Sequence, residues 1–168
     1  ALDDAFPDGL ADVEIVLTDD GMATGGDAEW GVDTETVHGG IVSRRSGAIG
    51  NDRESWIEMT TQNPGRLSFW WKASSESDGD LVFDYAYLSI DGEAQGTLLT
   101  ANDEYELDGV AIGGKTEWQN VVLDVTGAGT HTIRWTYCKD DVDEGDTGED
   151  CVWLDNVVFT PLVSVEFD

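Results

Sequence analysis

The sequence predicts an all-β protein, folded as a two-sheet antiparallel β-sandwich in one domain of 168 residues. Three observations predict this class. Apolar and polar side chains alternate along most segments, turn residues recur about every ten positions, and no stretch keeps a helical period. The turns are rich in glycine, with 20 Gly against 3 Pro.

The predicted strands follow one another along the chain with short turns between them. They span residues 13–17, 56–61, 66–72, 81–90, 118–125, 130–137 and 152–159. Alternation places Leu67, Phe69 and Trp71 on one face, because successive side chains of a strand point to opposite sides. The dipeptide at 91–92, Asp-Gly, predicts a tight hairpin turn.

The C-terminal stretch at 162–168 also alternates, with Val163, Val165 and Phe167 on one side. This pattern predicts either one more strand of the same domain or a strand exchanged with a neighbouring molecule. In the second case, exchange of this strand would make the protein self-associate through its terminal strands.

The charge of the chain excludes some partners. There are 36 Asp and Glu against 8 Lys and Arg, a formal charge of −28. Nucleic acids require a cationic surface, and anionic membranes attract one, so neither is an expected partner. No apolar run reaches the length of a membrane span, so insertion into a membrane is not expected. Such acidity indicates adaptation to a saline medium, calcium binding, or both.

The two cysteines, Cys138 and Cys151, flank an acidic segment. An even number of cysteines in a β-rich chain of secreted type predicts one disulfide. The alternative is a pair of reduced thiols. Zinc is not expected, because this segment contains no further Cys or His.

The acidic segment is a candidate calcium site. It carries seven carboxylates within a short stretch, and oxygen ligands of this kind are what Ca²⁺ prefers. The spacing does not match an EF-hand, and a solvated loop without an ion is the alternative. The seven residues are Asp140, Asp141, Asp143, Glu144, Asp146, Glu149 and Asp150.

Several segments, taken in order, resemble a bacterial extracellular accessory module of the jelly-roll type, loosely similar to MAM domains and carbohydrate-binding modules. The matching pieces are residues 24–30 (TGGDAEW), 46–50 (SGAIG), 55–56 (SW), 64–72 (PGRLSFWWK), 117–119 (EWQ), 129–137 (GTHTIRWTY) and 153–159 (WLDNVVF). The resemblance implies a sandwich, an extracellular or cell-surface location and no catalysis. The cysteines and the acid-dense segment depart from the pattern.

The resemblance also bears on Asp155, which interrupts the apolar run of the last predicted strand. A buried carboxylate must be paired, hydrogen-bonded or bound to metal. In similar modules an Asp of the last strand holds a structural Ca²⁺, so the resemblance implies calcium at Asp155. Together with the acidic segment, this gives Asp140, Asp150 and Asp155 as the expected metal ligands. The alternative for Asp155 is that it accepts hydrogen bonds from backbone N–H groups of a neighbouring segment.

Aromatic side chains are the candidate ligand contacts, because sugar rings stack on flat aromatic surfaces. Trp30, Trp70 and Trp118 lie outside the predicted core faces and are the candidates. The other tryptophans considered are expected in the core; they are Trp56, Trp71, Trp135 and Trp153.

The expected function is therefore a non-catalytic extracellular binding or adhesion module, directed at a polysaccharide or cell-surface glycan and stabilised by calcium. The alternative is a structural subunit of an extracellular fibre or surface layer that assembles by β-strand addition. A hydrolase is disfavoured, because the chain has no G-x-S-x-G motif and only two histidines, His38 and His131.

Overall fold

The computed structural model describes residues 10–12, 15–16 and 21–164, with side chains described for 21–162. Two antiparallel sheets stack face to face, which confirms the predicted sandwich. Among the described residues there is no helix with the length and hydropathy of a membrane span.

The first sheet has seven strands, in the order β15-β7-β17-β5-β4, with β1 and β2 also paired to β17. Their bounds are β1 Leu10–Asp12, β2 Ile15–Val16, β4 Gly31–Asp33, β5 Ser43–Arg45, β7 Gly65–Ser74, β15 Gln119–Val125 and β17 Cys151–Ser164.

The second sheet has six strands, in the order β11-β10-β16-β6-β3, with β14 also paired to β10. Their bounds are β3 Met22–Gly26, β6 Glu54–Gln62, β10 Tyr85–Ile90, β11 Glu93–Ala94, β14 Ala111–Gly113 and β16 Thr130–Cys138. Two small hairpins, β8 Ser77–Asp78 with β9 Leu81–Val82 and β12 Gly96–Leu99 with β13 Glu106–Gly109, complete the described strands.

The core lies between the sheets and follows the predicted alternation. Leu67 and Phe69 of β7 and Ile133 and Trp135 of β16 all have 0% of their surface exposed. The Phe69 ring makes edge-to-face contacts with Trp71, at a centroid distance of 5.1 Å, and with Trp135 of the opposite sheet, at 5.3 Å. These contacts join the two layers.

The predicted strand at 81–90 is interrupted at Phe83 and Asp84, between β9 and β10. The backbone N–H of Phe83 donates to the Glu76 carbonyl at 3.0 Å, so the regular hydrogen bonding between strands is broken at this position. The predicted hairpin turn is confirmed: Asp91 and Gly92 join β10 to β11, with φ of 53° and 82°. Positive φ at both positions suits the right-handed twist of the flanking strands.

The C-terminal strand stays within the domain as far as it is described. Residues 162–164 pair with residues 10–12 of the same chain, with Leu10 opposite Ser164. Val165 and Phe167, which complete the predicted exchanged strand, lie outside the described residues.

Trp153 lies on the outer face of the first sheet, beside Asp33 of β4 and Arg45 of β5. The Trp153 indole N–H donates to Asp33 at 3.0 Å, and the Arg45 guanidinium lies 5.5 Å from its ring centroid. Trp153 is therefore buried, as predicted, but on the outer face. Trp56, which was also expected in the core, lies half-buried on the outer face of the second sheet, with the Arg134 guanidinium 3.9 Å from its ring centroid.

Candidate functional sites: a buried carboxylate cluster and a groove

Three carboxylates from separate segments meet at one end of the sandwich. Glu76, Asp84 and Asp140 each place one carboxylate oxygen within 4.8 Å of the others. Glu76 and Asp84 are fully buried. Glu76 follows β7, Asp84 precedes β10 and Asp140 follows β16, so only the folded chain brings them together.

Ser75 holds the local backbone that positions the cluster. Its hydroxyl donates to the Asp84 carbonyl at 2.6 Å and accepts from the Gly114 N–H at 2.8 Å. The segment from 74 to 84 therefore folds back on itself, and the side chains of Glu76 and Asp84 are directed to the same point.

The acidic loop after β16 closes over this cluster. One Glu76 oxygen, Oε1, accepts the N–H groups of Glu144 and Gly145, and Asp84 Oδ1 accepts the Asp140 N–H at 2.9 Å. Gly145 is required here because a Cβ at this position would meet the Ser77 backbone. The loop is thus fastened to Glu76 through its backbone.

Two oxygens of the cluster remain without a hydrogen-bond partner among the described residues. They are Glu76 Oε2 and Asp84 Oδ2, both buried. Buried polar atoms without partners are rare and costly, and charged ones cost more. The neighbouring cation is Lys139, whose Nζ lies 3.8 Å from Asp84 Oδ2 but 2.6 Å from Asp150 Oδ2.

The raised pKa values of two of these carboxyl groups agree with an excess of negative charge in the cluster. Burial raises the pKa of Asp84 to about 7, and the nearby Glu76 carboxylate contributes to the rise. Burial also raises the pKa of Asp140, with the Glu76 carboxylate again contributing. One lysine that is already paired to Asp150 does not offset three converging carboxylates.

The donor set fits a hard divalent cation. All three side chains offer carboxylate oxygens, and two of these oxygens are buried without a hydrogen-bond partner among the described residues. Calcium takes six to eight such ligands in flexible geometry. Transition metals that prefer nitrogen or sulfur find no such donor in this group.

The structure places the predicted metal ligands apart. Asp140 belongs to the cluster. Asp150 accepts from the Tyr137 hydroxyl at 2.7 Å and from Lys139, so it tethers the far end of the acidic loop. Asp155 accepts the backbone N–H groups of His38 at 2.8 Å and Gly39 at 3.1 Å, which is the alternative considered for it above.

The predicted disulfide is not formed in the structure. Cys138 and Cys151 are free thiols. Cys138 ends β16 in the second sheet, whereas Cys151 begins β17 in the first, opposite Ser74. The ion pair between Lys139 and Asp150 closes the acidic loop instead. Burial raises the pKa of each thiol to about 12, so neither is a reactive thiolate near neutral pH.

A groove of about 520 Å³ crosses the outer face of the second sheet. Its floor is formed by outward-facing side chains of β6, β10 and β16, since alternate residues of each strand face away from the core. The residues lining it are Glu54, Glu58, Tyr87, Ser89, Asp91, Gly92, Ala94, Thr132, Arg134 and Thr136.

The groove combines one aromatic ring with fixed polar groups. Arg134 donates to Glu58 at 2.7 Å and lies over Trp56, so its guanidinium is held in place. Burial raises the pKa of Tyr87, so its hydroxyl stays protonated, and able to donate, into alkaline pH. Hydroxyls and carboxylates around an aromatic ring are the groups that bind sugar rings and their hydroxyl rims.

His131 supports one end of this groove. Its Nδ1 lies 2.7 Å from Asp91 Oδ2 and its Nε2 lies 2.6 Å from the Gly127 carbonyl oxygen. Both partners are acceptors, so both ring nitrogens donate only when the imidazole is protonated. The hydrogen bond to Asp91, followed by that to Gly127, raises the pKa of His131 above 6.5.

This geometry predicts a pH-dependent contribution to stability. Because the pKa of His131 is raised in the folded state, its contribution is fully present below pH 6.5 and is lost as the pH rises through the raised value. We expect the difference in melting temperature between the wild type and His131→Gln to shrink from pH 5 towards alkaline pH. Thermal melts across this range, with calcium saturating, measure it; a constant difference would contradict the charged pairing.

The predicted aromatic contacts fall into two groups. Trp30 is 4% exposed and packs in the core, so it presents no ring face to a ligand here. Trp70 and Trp118 come together, half-buried, on the outer face of the first sheet. His38 lies between them, stacked on Trp70 at 3.9 Å and tilted against Trp118 at 5.7 Å.

His38 is held over Trp70 by the last strand. Its backbone N–H donates to Asp155, and its Nδ1 lies 2.7 Å from Asn156 Oδ1. Asp155 and Asn156 lie where the β17 register shifts, and Asn156 has φ of 50°. The irregularity directs both side chains at the covering loop, so one face of Trp70 is occupied within the chain.

Sequence reasoning did not identify Glu76, Asp84 or the groove residues. Asp84 carries the same signal as Asp155, a carboxylate in an apolar run, here between Phe83 and Tyr85. The groove had a weaker signal: alternation in β16 puts Thr132, Arg134 and Thr136 on the face opposite the core. In the sequence such outward-facing residues cannot be distinguished from other surface residues, because the groove forms only where neighbouring strands lie side by side.

No family model matches the sequence, and no curated protein matches it. Solved structures do share the fold. They include the K3 cleaved adhesin domain of Lys-gingipain from Porphyromonas gingivalis, with a TM-score of 0.55 and 14% identity over 89% of this chain and 99% of that one. Another is the C-terminal family 22 carbohydrate-binding module of Clostridium thermocellum Xyn10B, with a TM-score of 0.53 and 10% identity over 95% and 98%.

The secreted serine protease VesC from Vibrio cholerae also matches, with a TM-score of 0.51 and 18% identity over 85% of this chain. The match spans 26% of the protease chain. The structural neighbours thus include a carbohydrate-binding module and an adhesin domain. At these identities the likeness shows the jelly-roll sandwich fold, in agreement with the resemblance seen in the sequence.

Proposed function

We propose that this chain is a non-catalytic, extracellular binding module that holds a polysaccharide or cell-surface glycan in the groove on its second sheet. The observation that carries the proposal is the groove itself, with Tyr87 beside the fixed Arg134–Glu58 pair and a row of hydroxyls. In the family 22 neighbour, amino acids of the cleft have a role in ligand binding, which supports a groove as the binding surface proposed here.

We further propose that the Glu76–Asp84–Asp140 cluster binds calcium and that the ion stabilises the acidic loop. The ion would stand where two buried oxygens have no other partner, and it would offset the repulsion between the three carboxylates. Its role is structural, since the cluster lies apart from the residues that line the groove.

The groove makes a specific prediction about binding. Tyr87→Ala is expected to weaken binding about tenfold or more, because it removes the aromatic surface at the groove floor. A glycan array identifies a retained oligosaccharide, and isothermal titration calorimetry then compares the variant with the wild type. Trp70→Ala is the matched control, since Trp70 lies on the other sheet.

Two outcomes would contradict the groove assignment. If Trp70→Ala or Trp118→Ala abolishes binding and Tyr87→Ala does not, the ligand binds the aromatic cluster on the first sheet. If the protein retains no glycan on the array, the carbohydrate-directed function itself is wrong.

The charges of the groove predict which glycans bind. Glu54, Glu58 and Asp91 face one arginine, and that arginine is already paired with Glu58. A uronate would meet net negative charge here. We expect a neutral polysaccharide such as xylan to bind more tightly than alginate or polygalacturonate in affinity electrophoresis at low salt; the reverse order would contradict this charge argument.

A further inference from the structure

The edge of the first sheet formed by β15 is open. β15 pairs with β7 on one side, and among the described strands none pairs with its other side. It offers seven residues, from Gln119 to Val125, with a row of main-chain donors and acceptors along the free edge. Proteins usually protect such edges with charged side chains, proline or a bulge. β15 has no lysine, proline or bulge, and its one charged residue, Asp124, is paired with Arg66 of β7.

The side chains beside this edge are incompletely covered. Val121 and Leu123 point inward, opposite Phe69 and Leu67, but remain only half-buried because the sheet ends there. A second groove, of about 330 Å³, runs along the same edge. It is lined by Trp71, Gly109, Val110, Ala111, Gln119, Asn120, Val121 and Val122. On the outer face Val122 is 55% exposed.

We propose that two copies of this chain pair through β15, edge to edge and antiparallel, about a two-fold axis at Val122. Val122 is the central residue of the strand. A two-fold axis there places Val122 opposite its own copy and makes the same patch serve both subunits, as an isologous interface requires. The two first sheets then join into one continuous sheet.

The sequence of β15 is complementary to itself in this register. In this register Val121 of one copy lies opposite Leu123 of the other copy. Each of these inward side chains then packs into the edge groove of the opposite subunit. Asp124 lies opposite Asn120, so the carboxylates do not face each other. Asp124 is also within 3.4 Å of Arg66 on β7, which offsets its charge. Apolar and opposite-polar cross-strand pairs stabilise a sheet, whereas facing like charges would not.

This interface is distinct from the terminal strands expected to mediate self-association. Those strands, as far as they are described, already pair within the chain through Leu10–Asp12 and the end of β17. The proposal depends on neither the glycan groove nor the calcium cluster, because β15 contributes no residue to either.

Sedimentation equilibrium over a range of protein concentrations in molar NaCl tests the proposal. Salt at that level shortens the screening length to about 3 Å and so removes the long-range repulsion between two chains of charge −28. The wild type is expected to dimerise. Val122→Lys is expected to weaken the dimer about tenfold or more, since it replaces the apolar contact at the axis with two strongly hydrated ammonium groups. Ile41→Lys is the matched control, because Ile41 is 83% exposed and lies away from β15.

A cross-link supplies a second readout that does not depend on the dimer affinity of a lysine variant. Val122→Cys is expected to form a disulfide-linked dimer under mild oxidation, whereas Ile41→Cys is expected to stay monomeric. Cys138 and Cys151 are replaced by serine in both variants, so that only the introduced thiol can form the cross-link. A wild type that stays monomeric at every concentration would overturn the proposal. So would a dimer that Val122→Lys leaves intact, since its interface would lie elsewhere.

Discussion

Replacing Phe69 with alanine is expected to lower the free energy of unfolding by about 3–5 kcal/mol, the usual cost of removing a buried aromatic ring. Phe69 is fully buried and touches aromatic rings from both sheets. At about 2–4 °C per kcal/mol for a chain of this size, the melting temperature should fall by about 6–20 °C. Circular dichroism melts and urea titrations measure the change.

The matched control for this substitution is Ile41→Ala. It removes apolar atoms from a side chain that is 83% exposed, so its effect on the free energy of unfolding should stay within about 0.5 kcal/mol. Equal effects of Phe69→Ala and Ile41→Ala would mean that Phe69 does not join the two sheets.

Millimolar CaCl₂, added to chelator-treated protein, is expected to raise the melting temperature by about 5–10 °C. An ion present at a hundred times its dissociation constant stabilises the folded state by about 2.7 kcal/mol, and this chain gains about 2–4 °C per kcal/mol. The physical reason is that the ion partners the buried oxygens of Glu76 and Asp84 and offsets the repulsion between three carboxylates. Scanning calorimetry with calcium, with magnesium and with EDTA measures the shift.

Asp84→Asn distinguishes an ion at this cluster from calcium bound elsewhere on an acidic surface. The amide keeps an oxygen that can accept the Asp140 N–H but removes a buried charge. The variant should therefore lose the calcium response while its calcium-free form melts no lower than the wild type. Asp141→Asn, in the same loop but exposed, should keep the full response. If EDTA leaves the melting temperature of the wild type unchanged, the proposal that calcium stabilises this protein is wrong.

The fold was largely predictable because its signals are local. The alternation of β7 and β16 determined which side chains point to the core, and Leu67, Phe69, Ile133 and Trp135 are all buried as predicted. The turn at Asp91–Gly92 was predictable for the same reason, since two adjacent residues set its conformation. The break between β9 and β10 was not, because the hydrogen bonds that cause it come from Glu76, outside that segment.

The sequence by itself determined that this is an acidic, two-layer β protein with a strongly negative surface, since composition and side-chain period are properties of the chain alone. Only the tertiary structure decided which carboxylates converge, which aromatic rings are covered and which strand edge stays open. Asp140 lies 56 residues beyond Asp84 along the chain yet meets it in the carboxylate cluster, whereas Cys138 and Cys151 are closer along the chain but belong to different sheets. Strand order makes these juxtapositions, and it depends on the packing of the two sheets, which no short segment encodes.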